Sequence, residues 1–389
     1  MFFNNSEVEF MYKQKKMNLK NIFSFWNRFN EEEKFLFYNP NEKKLLMGAK
    51  RLKTFKKDES FDGYKYVFSI KTFFEAVKDS IWNGFVSENI AFCYYLVVKN
   101  GEQTLYYNGN DIEIEDVNLT EEDYEYKVLN KDYNEWRELF NASHNKILSK
   151  DVDKVVISRE VAVDLSKEAK EEVIIKRLMD NNKRSFTFAY KKGDKCFLGA
   201  TPEILLEKKD DKIISHAVAG TLLKDRENQG EGKEEFLNDK KNSYEHNLVV
   251  STIKNIFDSF GKDTTVFEKE LMEAKNLYHL HTKLLTYSVD DIITWRDRLH
   301  PTPALGGTPK DRALNIISEN EFHERGMYAS PIGVIDENGN GIFVVGIRSG
   351  ILYKDKLYGY AGCGIVETSD CMKEFIETEG KLKTILECL

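Results

Sequence analysis

The sequence has few cysteines and no paired cysteine motif. Its five cysteines are scattered over 389 residues, and none stands in a CxxC arrangement. An odd number of unclustered cysteines argues against a disulfide framework and against a metal–thiolate site, and it suits a reducing compartment. The seven histidines lack HExxH or comparable spacing, so a zinc enzyme is not indicated either.

Long apolar runs and nucleotide-binding signatures are also missing. No uninterrupted apolar segment approaches membrane-spanning length, and residues 1–16 carry acidic and polar residues where a signal peptide needs apolar ones. The chain has neither a Walker A loop nor a GxGxxG fingerprint. Its formal charge of -8 argues against generic nucleic-acid binding. We therefore expect a cytoplasmic protein without a membrane or nucleic-acid partner.

What is present is a chain long enough for one large domain or two. Hydrophobic residues make up 41% and charged residues 31% of the sequence, as in ordinary globular proteins. No internal repeat or low-complexity linker divides it. A shift in composition near residue 145 predicts a variable N-terminal part, 1–145, and a second region of the same fold, 146–389, that carries the chemistry.

The local patterns predict strands with long helices between them. Runs of β-branched and aromatic residues indicate strands at 89–98 and 104–109 and at many places after residue 154. A capping-box-like start at Thr120 predicts a helix over 119–148. Further helices are predicted over the ranges 234–260, 309–322 and 371–389. This mixture predicts a large fold of the α/β or α+β class.

Two candidate catalytic side chains lie on or beside strands. Lys154 stands in KVVISRE, an alternating segment that puts it on one face of a strand. Most lysines are exposed, but a partly desolvated amine there could lose its proton near neutrality and act as a general base. Glu203 follows Pro202 between two predicted strands. It is either a turn carboxylate or a general acid kept protonated by apolar neighbours.

Three more glutamates lie on predicted helices. Glu245 lies three residues before an apolar Leu-Val-Val run, which suggests that its helix face is partly buried and that the carboxylate has a partner. Glu374 and Glu377 are three residues apart and share a face of the C-terminal helix. Each can also be read as a solvated surface glutamate. Together they offer the oxygen ligands that Mg²⁺ prefers.

Glycine-containing segments and one arginine suggest an anion site. AVAGT, PALGGTPK and GYAGCGIV lie beside strands or before helices, where backbone N–H groups can face an anion. Arg348 stands among apolar strand residues in FVVGIRSG, and such a guanidinium needs a carboxylate partner. That partner is either a structural ion pair or an anionic ligand.

These motifs, in this order, resemble the chorismate-utilising enzymes, the family of anthranilate (component I), aminodeoxychorismate, isochorismate and salicylate synthases. The resemblance covers roughly 150–389 and is carried by KVVISRE, FLGATPEILL, AVAGT, EHNLVV, LHPTPALGGTPKDRA, ERGMYASPIGVID, FVVGIRS, YAGCGIV and EFIETEGK. It implies a large α/β fold in which two β-sheets and flanking helices surround one active site. The N-terminal third contributes little to it.

The resemblance also implies roles for the candidate residues. Lys154 matches the base that deprotonates the attacking water, and Glu203 matches the acid that protonates the departing C4 hydroxyl of chorismate. Glu245 and Glu377 match the ligands of a Mg²⁺ ion that binds the ring carboxylate, with Glu374 as a nearby second candidate. The positions that match substrate-binding residues are Ala219, Gly220, Thr221, His279, Tyr328, Arg348, Gly362, Gly364 and Lys381.

Three positions favour one reaction within the family. Ammonia-using anthranilate synthases tend to carry glutamine in place of Lys154, and aminodeoxychorismate synthases often carry a nucleophilic lysine in place of Ala219. The amine-using members also read PAGT-like where this chain has HPTPA, 300–304. The resemblance therefore implies an isochorismate synthase, a Mg²⁺-dependent isomerase without an obligatory amidotransferase subunit, and we expect a monomer.

Other readings stay open from the residues alone. A salicylate synthase would form isochorismate and then eliminate pyruvate with the same acid and base. An ammonia-using synthase and a non-catalytic anion-binding homologue are further alternatives. The pathway, menaquinone or siderophore synthesis, is also left open, because both use the same reaction.

Overall fold

The structure is a computed structural model that describes residues 12–56, 59–74, 80–130, 133–223, 232–273 and 277–389. These residues form twenty strands and eight helices. The strands are β1 Lys13–Met17, β2 Lys34–Asn39, β3 Lys44–Phe55, β4 Tyr66–Ile70, β5 Glu88–Lys99, β6 Glu102–Tyr107, β7 Tyr126–Val128, β8 Lys154–Leu165, β9 Phe186–Lys192, β10 Lys195–Thr201, β11 Ile204–Lys209, β12 Lys212–Leu223, β13 Lys262–Val266, β14 Glu270–Glu273, β15 Leu277–Tyr287, β16 Gly307–Thr308, β17 Pro331–Asp336, β18 Gly341–Val345, β19 Ser349–Tyr353 and β20 Lys356–Ile365. The helices are α1 Phe23–Arg28, α2 Tyr133–Leu148, α3 Glu171–Asn181, α4 Gly232–Asn238, α5 Lys240–Phe260, α6 Ile292–Leu299, α7 Lys310–Asn320 and α8 Cys371–Leu386.

The described strands join into one antiparallel sheet with two branches. The first branch runs β1–β6–β5–β3–β2–β9–β10–β19–β20–β8, and β7 and β16 also pair with β8. The second leaves β5 through β4 and continues β17–β18–β11–β12–β15, with β13 and β14 paired to β15. The long strand β5 is therefore shared by both branches, which form two β-layers.

The largest apolar core joins the two branches. It contains Phe35 and Phe188 from the first branch and Ala217 and Phe343 from the second. A second core includes residues of α1, α3 and α8 and covers the other face of the first branch. The expectation of a large α/β fold with flanking helices is thus confirmed, and in place of the two predicted β-sheets the described strands form two branches of one continuous sheet.

Strands from both sides of residue 145 belong to the same sheet. β2 pairs with β9, and β4 pairs with β17. Helix α2 itself runs across residue 145. That residues 1–145 are a variable part of the fold stays a prediction. None of the helices in the described part of the chain combines the length and the apolar composition that a membrane-spanning helix requires.

Two helix predictions were wrong in their extent. The residues from Thr120 to Glu125 form no helix; β7 then pairs with β8, and α2 begins only at Tyr133. The predicted long helix over 234–260 is two helices, α4 and α5, because Asp239 takes an extended conformation between them and caps α5. The strands at 89–98 and 104–109 and the helices after Pro309 and at the C-terminus are confirmed.

Candidate functional site

Two of the connections that carry the chain from one branch of the sheet to the other lie side by side. The first, between β10 and β11, contains Glu203; the second, between β18 and β19, contains Arg348. The N–H of Val345 donates to the carbonyl of Glu203 at 3.0 Å, and the N–H of Ala200 donates to the carbonyl of Arg348 at 3.2 Å. Glu203 and Arg348 therefore lie on two neighbouring segments whose backbones are hydrogen-bonded to each other.

A cavity of about 180 Å³ lies at these crossings and is lined by residues from both branches and from α5 and α8. It contains nearly all of the side chains predicted from the sequence. The predicted residues that line it are Lys154, Glu203, Ala219, Gly220, Glu245, His279, Tyr328, Arg348, Gly362, Gly364, Glu374, Glu377 and Lys381. Thr221 pairs with His279 across β12 and β15, and its side chain lies outside the described structure. The structure thus brings the predicted set together, while the role of each member stays a prediction.

Lys154 is the first residue of β8 and is buried against a glutamate. Its ammonium is 2.8 Å from the Glu245 carboxylate, and the lysine side chain is 1% exposed. Gly364 on the neighbouring strand β20 leaves the space for this pair. A Cβ atom at residue 364 would lie 2.5 Å from Glu245 Oε1 and 2.6 Å from Lys154 Cε. The glycine in YAGCGIV is therefore required by close approach of two charged side chains, not by its own backbone.

Glu203 is a buried carboxyl without an ion pair among the described residues. Burial raises its pKa to about 7, although Lys381, Lys154 and Arg348 act in the opposite direction. The cost of burying the ionised carboxylate therefore exceeds its attraction to the nearby ammonium and guanidinium groups. A carboxyl with this pKa is partly protonated near neutrality, as a general acid must be.

The other two glutamates are paired with lysines on α5 and α8. Glu377 lies 2.7 Å from Lys381, and Glu374 lies 3.0 Å from Lys241. Burial raises the pKa of Glu374, and the neighbouring Glu377 raises it further. Burial acts to raise the pKa of Glu377 as well, but the lowering contributions of its neighbours, led by the Lys381 ammonium, together outweigh it and the pKa is lowered. The two carboxyls three residues apart thus have opposite tendencies to hold a proton.

The ligand atoms that the cavity offers are of the chemical type that a hard divalent cation prefers. Glu245, Glu374 and Glu377 line one cavity and offer only oxygen atoms, which Mg²⁺ prefers. Each carboxylate is bonded to a lysine, and no three acidic, histidine or cysteine side chains in the described residues lie close enough together to hold a metal ion as they stand. A cation would therefore have to take carboxylate oxygens from the lysines, and Mg²⁺ binding stays a proposal.

Arg348 and His279 form the polar wall on the other side of the cavity. The described residues include no carboxylate within ion-pair distance of Arg348, so the structural ion pair considered from the sequence is not found there. Burial lowers the pKa of His279 to about 3, assisted by Arg348, so the imidazole is neutral. Its Nδ1–H donates to the Gly220 carbonyl at 3.0 Å, which leaves Nε2 facing Arg348 Nη2 at 3.5 Å.

The backbone at Arg348 is strained. Its φ of 53° lies in the left-handed region, as does the φ of 59° of Ala329 in the adjoining turn. The Ala329 N–H donates to the Gly346 carbonyl at 3.0 Å, and the Gly346 N–H donates to the Ser330 carbonyl at 2.8 Å. Non-glycine residues persist in this region when the surrounding structure determines their conformation, which is common at ligand sites.

Sequence reasoning missed two charged residues of the cavity wall, Lys241 and Arg325. Lys241 stands four residues before Glu245, so a helical spacing placed it on the same face. Arg325 lies inside ERGMYASP, a motif that was singled out only as a whole. A lysine or an arginine in a polar stretch of sequence can line a cavity or lie on the surface. The sequence favours the surface, because most lysines and arginines are exposed.

The chain is similar to several known proteins. The family described as "Chorismate binding enzyme" matches residues 99–389. Isochorismate synthase MenF of Bacillus subtilis is 35% identical over 266 residues, which cover 66% of this chain and 56% of that protein. The salicylate biosynthesis isochorismate synthase of Pseudomonas aeruginosa is 36% identical over 207 residues, 52% of this chain and 44% of that protein. The chain thus matches about half the length of these two relatives.

A solved structure extends the likeness to nearly the whole fold. The menaquinone-specific isochorismate synthase MenF of Escherichia coli has a TM-score of 0.83, covering 97% of this chain and 94% of that one. The sequence identity is 19%, so this likeness concerns the fold alone.

Proposed function

Since this chain belongs to the chorismate-binding enzyme family, we propose that it is an isochorismate synthase, an isomerase that converts chorismate reversibly into isochorismate. The observation that carries the proposal is the shared cavity of a buried lysine, Lys154, and a buried carboxyl, Glu203, whose pKa is about 7. A water-using isomerase needs one group to take a proton and one to give a proton, and these two supply both.

In the proposed reaction the Lys154 ammonium first releases a proton to solvent; the oxygen of water then attacks C2 of chorismate, and the proton of that water passes to the resulting amine. The ring double bonds shift, and the proton of Glu203 passes to the C4 hydroxyl, which leaves as water. Lys154 is then protonated and Glu203 ionised, and proton exchange with solvent restores both. Each of the two proton transfers contributes about 10²–10⁴-fold to the rate in enzymes of this kind.

The remaining charged residues would bind the dianionic substrate. Arg348, which has no carboxylate partner in the described residues, would hold the enolpyruvyl carboxylate in a bidentate arrangement together with Tyr328. Gly362 and Gly364 leave β20 close enough for backbone contact. Glu245 and Glu377, with Glu374 beside them, would hold Mg²⁺, which when bound neutralises the charge of the ring carboxylate.

The cellular setting is part of the same proposal. We expect a cytoplasmic monomer that works without an amidotransferase subunit, because water is the nucleophile. All five cysteines are free thiols, which supports a reducing compartment. Size-exclusion chromatography coupled to light scattering tests the oligomeric state.

Product analysis tests the activity. The purified protein is incubated with chorismate and Mg²⁺, and isochorismate, salicylate and pyruvate are quantified by chromatography. Isochorismate without pyruvate is the expected result; stoichiometric salicylate and pyruvate would identify the rival salicylate synthase. Anthranilate formed with ammonia would identify the amine-using rival, and no product at all would support a non-catalytic homologue.

Two substitutions test the acid and the base. Lys154→Ala and Glu203→Gln should each lower kcat by roughly 10²–10⁴-fold while the protein stays folded. Glu172→Gln is a matched control, because Glu172 on α3 is also a glutamate whose pKa is raised by burial but lies outside the cavity. Full activity of either cavity variant would refute the assignment.

Calorimetric titration with Mg²⁺ tests the metal ligands directly. Glu245→Ala and Glu377→Ala should weaken Mg²⁺ binding, and the same measurement on Glu374→Ala decides whether this neighbour is also a ligand. Unchanged Mg²⁺ titration in the Glu245→Ala protein would contradict the proposed metal site.

A further inference from the structure

Arg325 is an almost completely buried arginine at the wall of the cavity. Its side chain is 1% exposed, and its partner Glu321 is 3% exposed. The Nε and Nη2 groups donate to the two carboxylate oxygens of Glu321 at 2.8 and 2.6 Å. Because this bidentate pair is electrically balanced, Arg325 adds little net charge to the cavity, and its effect has to be geometric.

The guanidinium also binds the backbone of two cavity segments. Nη1 donates to the Leu305 carbonyl at 2.9 Å, in the loop that follows HPTPA. Nη2 donates to the Val156 carbonyl at 2.7 Å, two residues after Lys154 on β8. Val156 and Leu305 both line the cavity. The same side chain therefore fixes β8 relative to the loop opposite it.

Glu321 also accepts hydrogen bonds from a residue further along β8. Its Oε1 accepts hydrogen bonds from the Ser158 N–H at 2.7 Å and from the Ser158 hydroxyl at 2.8 Å. Lys154, Val156 and Ser158 alternate along the strand and share one face. The pair thus holds the strand at two successive positions on the face that carries Lys154.

The main chain of Arg325 fixes the other side of the cavity. Its carbonyl accepts a hydrogen bond from the Tyr328 N–H at 2.7 Å. The Tyr328 ring in turn stacks on Tyr360, with 5.5 Å between ring centroids. One residue therefore links the strand of Lys154 to the turn of Tyr328.

We propose that Arg325 is a positioning residue: it sets the distance between the amine of Lys154 and the substrate held at Tyr328, without taking part in proton transfer. This inference rests on the proposed isochorismate synthase reaction. A general base must stand within hydrogen-bond reach of the water it activates, so a small displacement of β8 costs rate more than binding.

The test is steady-state kinetics of Arg325→Lys. Lysine keeps the charge and the ion pair with Glu321 but has no planar fork to reach two carbonyls as well. We expect kcat to fall by roughly 10- to 100-fold with KM for chorismate changed less than about 3-fold, the pattern of an interaction that matters in the transition state. Circular dichroism and the unfolding temperature establish that the variant is folded at the assay temperature.

Arg296→Lys is the matched control for a merely structural effect. Arg296 is also a buried arginine, 6% exposed, that pairs with a neighbouring carboxylate and donates to Ser69 Oγ at 2.8 Å, but it does not line the cavity. We expect it to lower the unfolding temperature and leave kcat unchanged. An equal loss of kcat in both variants, or a folded Arg325→Lys with the kcat of the unsubstituted protein, would overturn the proposal.

A milder variant keeps the proposal testable if Arg325→Lys does not fold. Ser158→Ala removes the hydroxyl contacts to Glu321 at 2.8 Å and to His323 Nε2 at 3.2 Å but keeps the Ser158 N–H bond to Glu321, and we expect a smaller fall in kcat with KM unchanged. An unchanged kcat in that variant would count against the proposal. Failure of the unsubstituted protein to form isochorismate would instead refute the proposed function, so the two failures are distinguishable.

Discussion

Glu203 shows how a single residue can be tuned by burial when cations are near. Three cations lower its pKa, yet burial raises it to about 7. An ionised carboxylate loses more by desolvation than it gains from these cations, two of which, Lys154 and Lys381, are already paired with Glu245 and Glu377. The acid of the proposed reaction is thus kept protonated by its place in the fold.

This burial has a consequence for stability that can be measured. In the unfolded chain Glu203 ionises near its ordinary pKa of 4.5, whereas in the folded protein it ionises near 7. The stabilisation that Glu203 contributes is therefore fully present below pH 4.5 and is lost as the pH rises toward 7. Above pH 7 its contribution no longer changes. The loss amounts to at most about 3 kcal/mol for a displacement of this size.

Urea unfolding of the native protein and of Glu203→Gln tests the sign. Because glutamine does not ionise, the variant should gain stability relative to the native protein between pH 4.5 and 7, and the difference should stop growing above pH 7. A difference that is constant from pH 4.5 to pH 8 would show that Glu203 is not buried as a neutral acid.

Gly364 is a second residue with a sharp expectation. Its missing side chain leaves room for the Lys154–Glu245 pair, and an added Cβ would come within 2.6 Å of both residues. We expect Gly364→Ala to reduce kcat by roughly 10²-fold, because the base is displaced, with a much smaller effect on the unfolding temperature. Gly359→Ala on the same strand is a control, since a Cβ there first meets flexible side chains at 3.3 Å.

At the scale of elements, α5 depends on its first residues. Asp239 caps it by accepting hydrogen bonds from the Asn242 N–H at 2.8 Å and from the Asn242 side chain at 2.7 Å. The first two turns of α5 carry Lys241 and Glu245 into the cavity. Fraying of the N-terminal end of α5 would therefore displace both Lys241 and Glu245.

Asp239→Ala should lower the free energy of unfolding by about 1 kcal/mol, as loss of a helix cap does, and should also lower kcat/KM. Asp291→Ala removes the equivalent cap of α6, where Asp291 accepts from the Thr294 N–H at 2.8 Å. That control should lose similar stability without loss of kcat/KM. Equal effects of the two variants on kcat/KM would contradict a role for the end of α5 in the site.

The same helix shows which part of the fold the sequence can predict. Helical periodicity continues through residue 239, so the pattern predicts one helix over 234–260. The aspartate side chain instead bonds the backbone three residues on, a local competition that periodicity does not record. The strand predicted from KVVISRE is confirmed, because β8 begins at Lys154 and contains this segment.

The error at Thr120 has a tertiary cause. The acidic residues that resembled a helix start are used elsewhere: Glu122 pairs with Lys167 and Lys170. The following segment joins the sheet through β7, where Tyr126 pairs with Leu165. Such long-range pairing overrides a local capping preference, and no short window of sequence contains it.

The site itself was predictable only through the order of its motifs. Lys154, Glu203 and Glu245 are each more ordinary as surface residues, and their convergence depends on the two sheet branches. The resemblance supplied that convergence. It did not supply the lysine partner of each carboxylate or the Arg325–Glu321 pair, because these depend on side-chain packing between segments far apart in sequence.

At the scale of the whole molecule, the segments before and after residue 145 should unfold together. The core that joins them includes residues from β2 and β4, before residue 145, and from β9 and β18, after it. Separating the parts would expose this core and leave the edges of β9 and β17 unpaired.

We therefore expect a single cooperative transition in urea, with coincident far- and near-ultraviolet circular dichroism curves. Residues 146–389 expressed alone should be insoluble or unfolded. Two separate transitions, or a folded and soluble 146–389 fragment, would instead establish an independent domain boundary near residue 145.

The hydrogen-bonded crossings between the branches also provide a way to observe the site without substrate. The amides of Val345 and Ala200 donate to the carbonyls of Glu203 and Arg348. These two hydrogens can exchange with deuterium only when the crossings separate, which is the same event that parts the acid from the arginine. The exchange of these two backbone hydrogens would therefore report the free energy of the opening that separates Glu203 from Arg348.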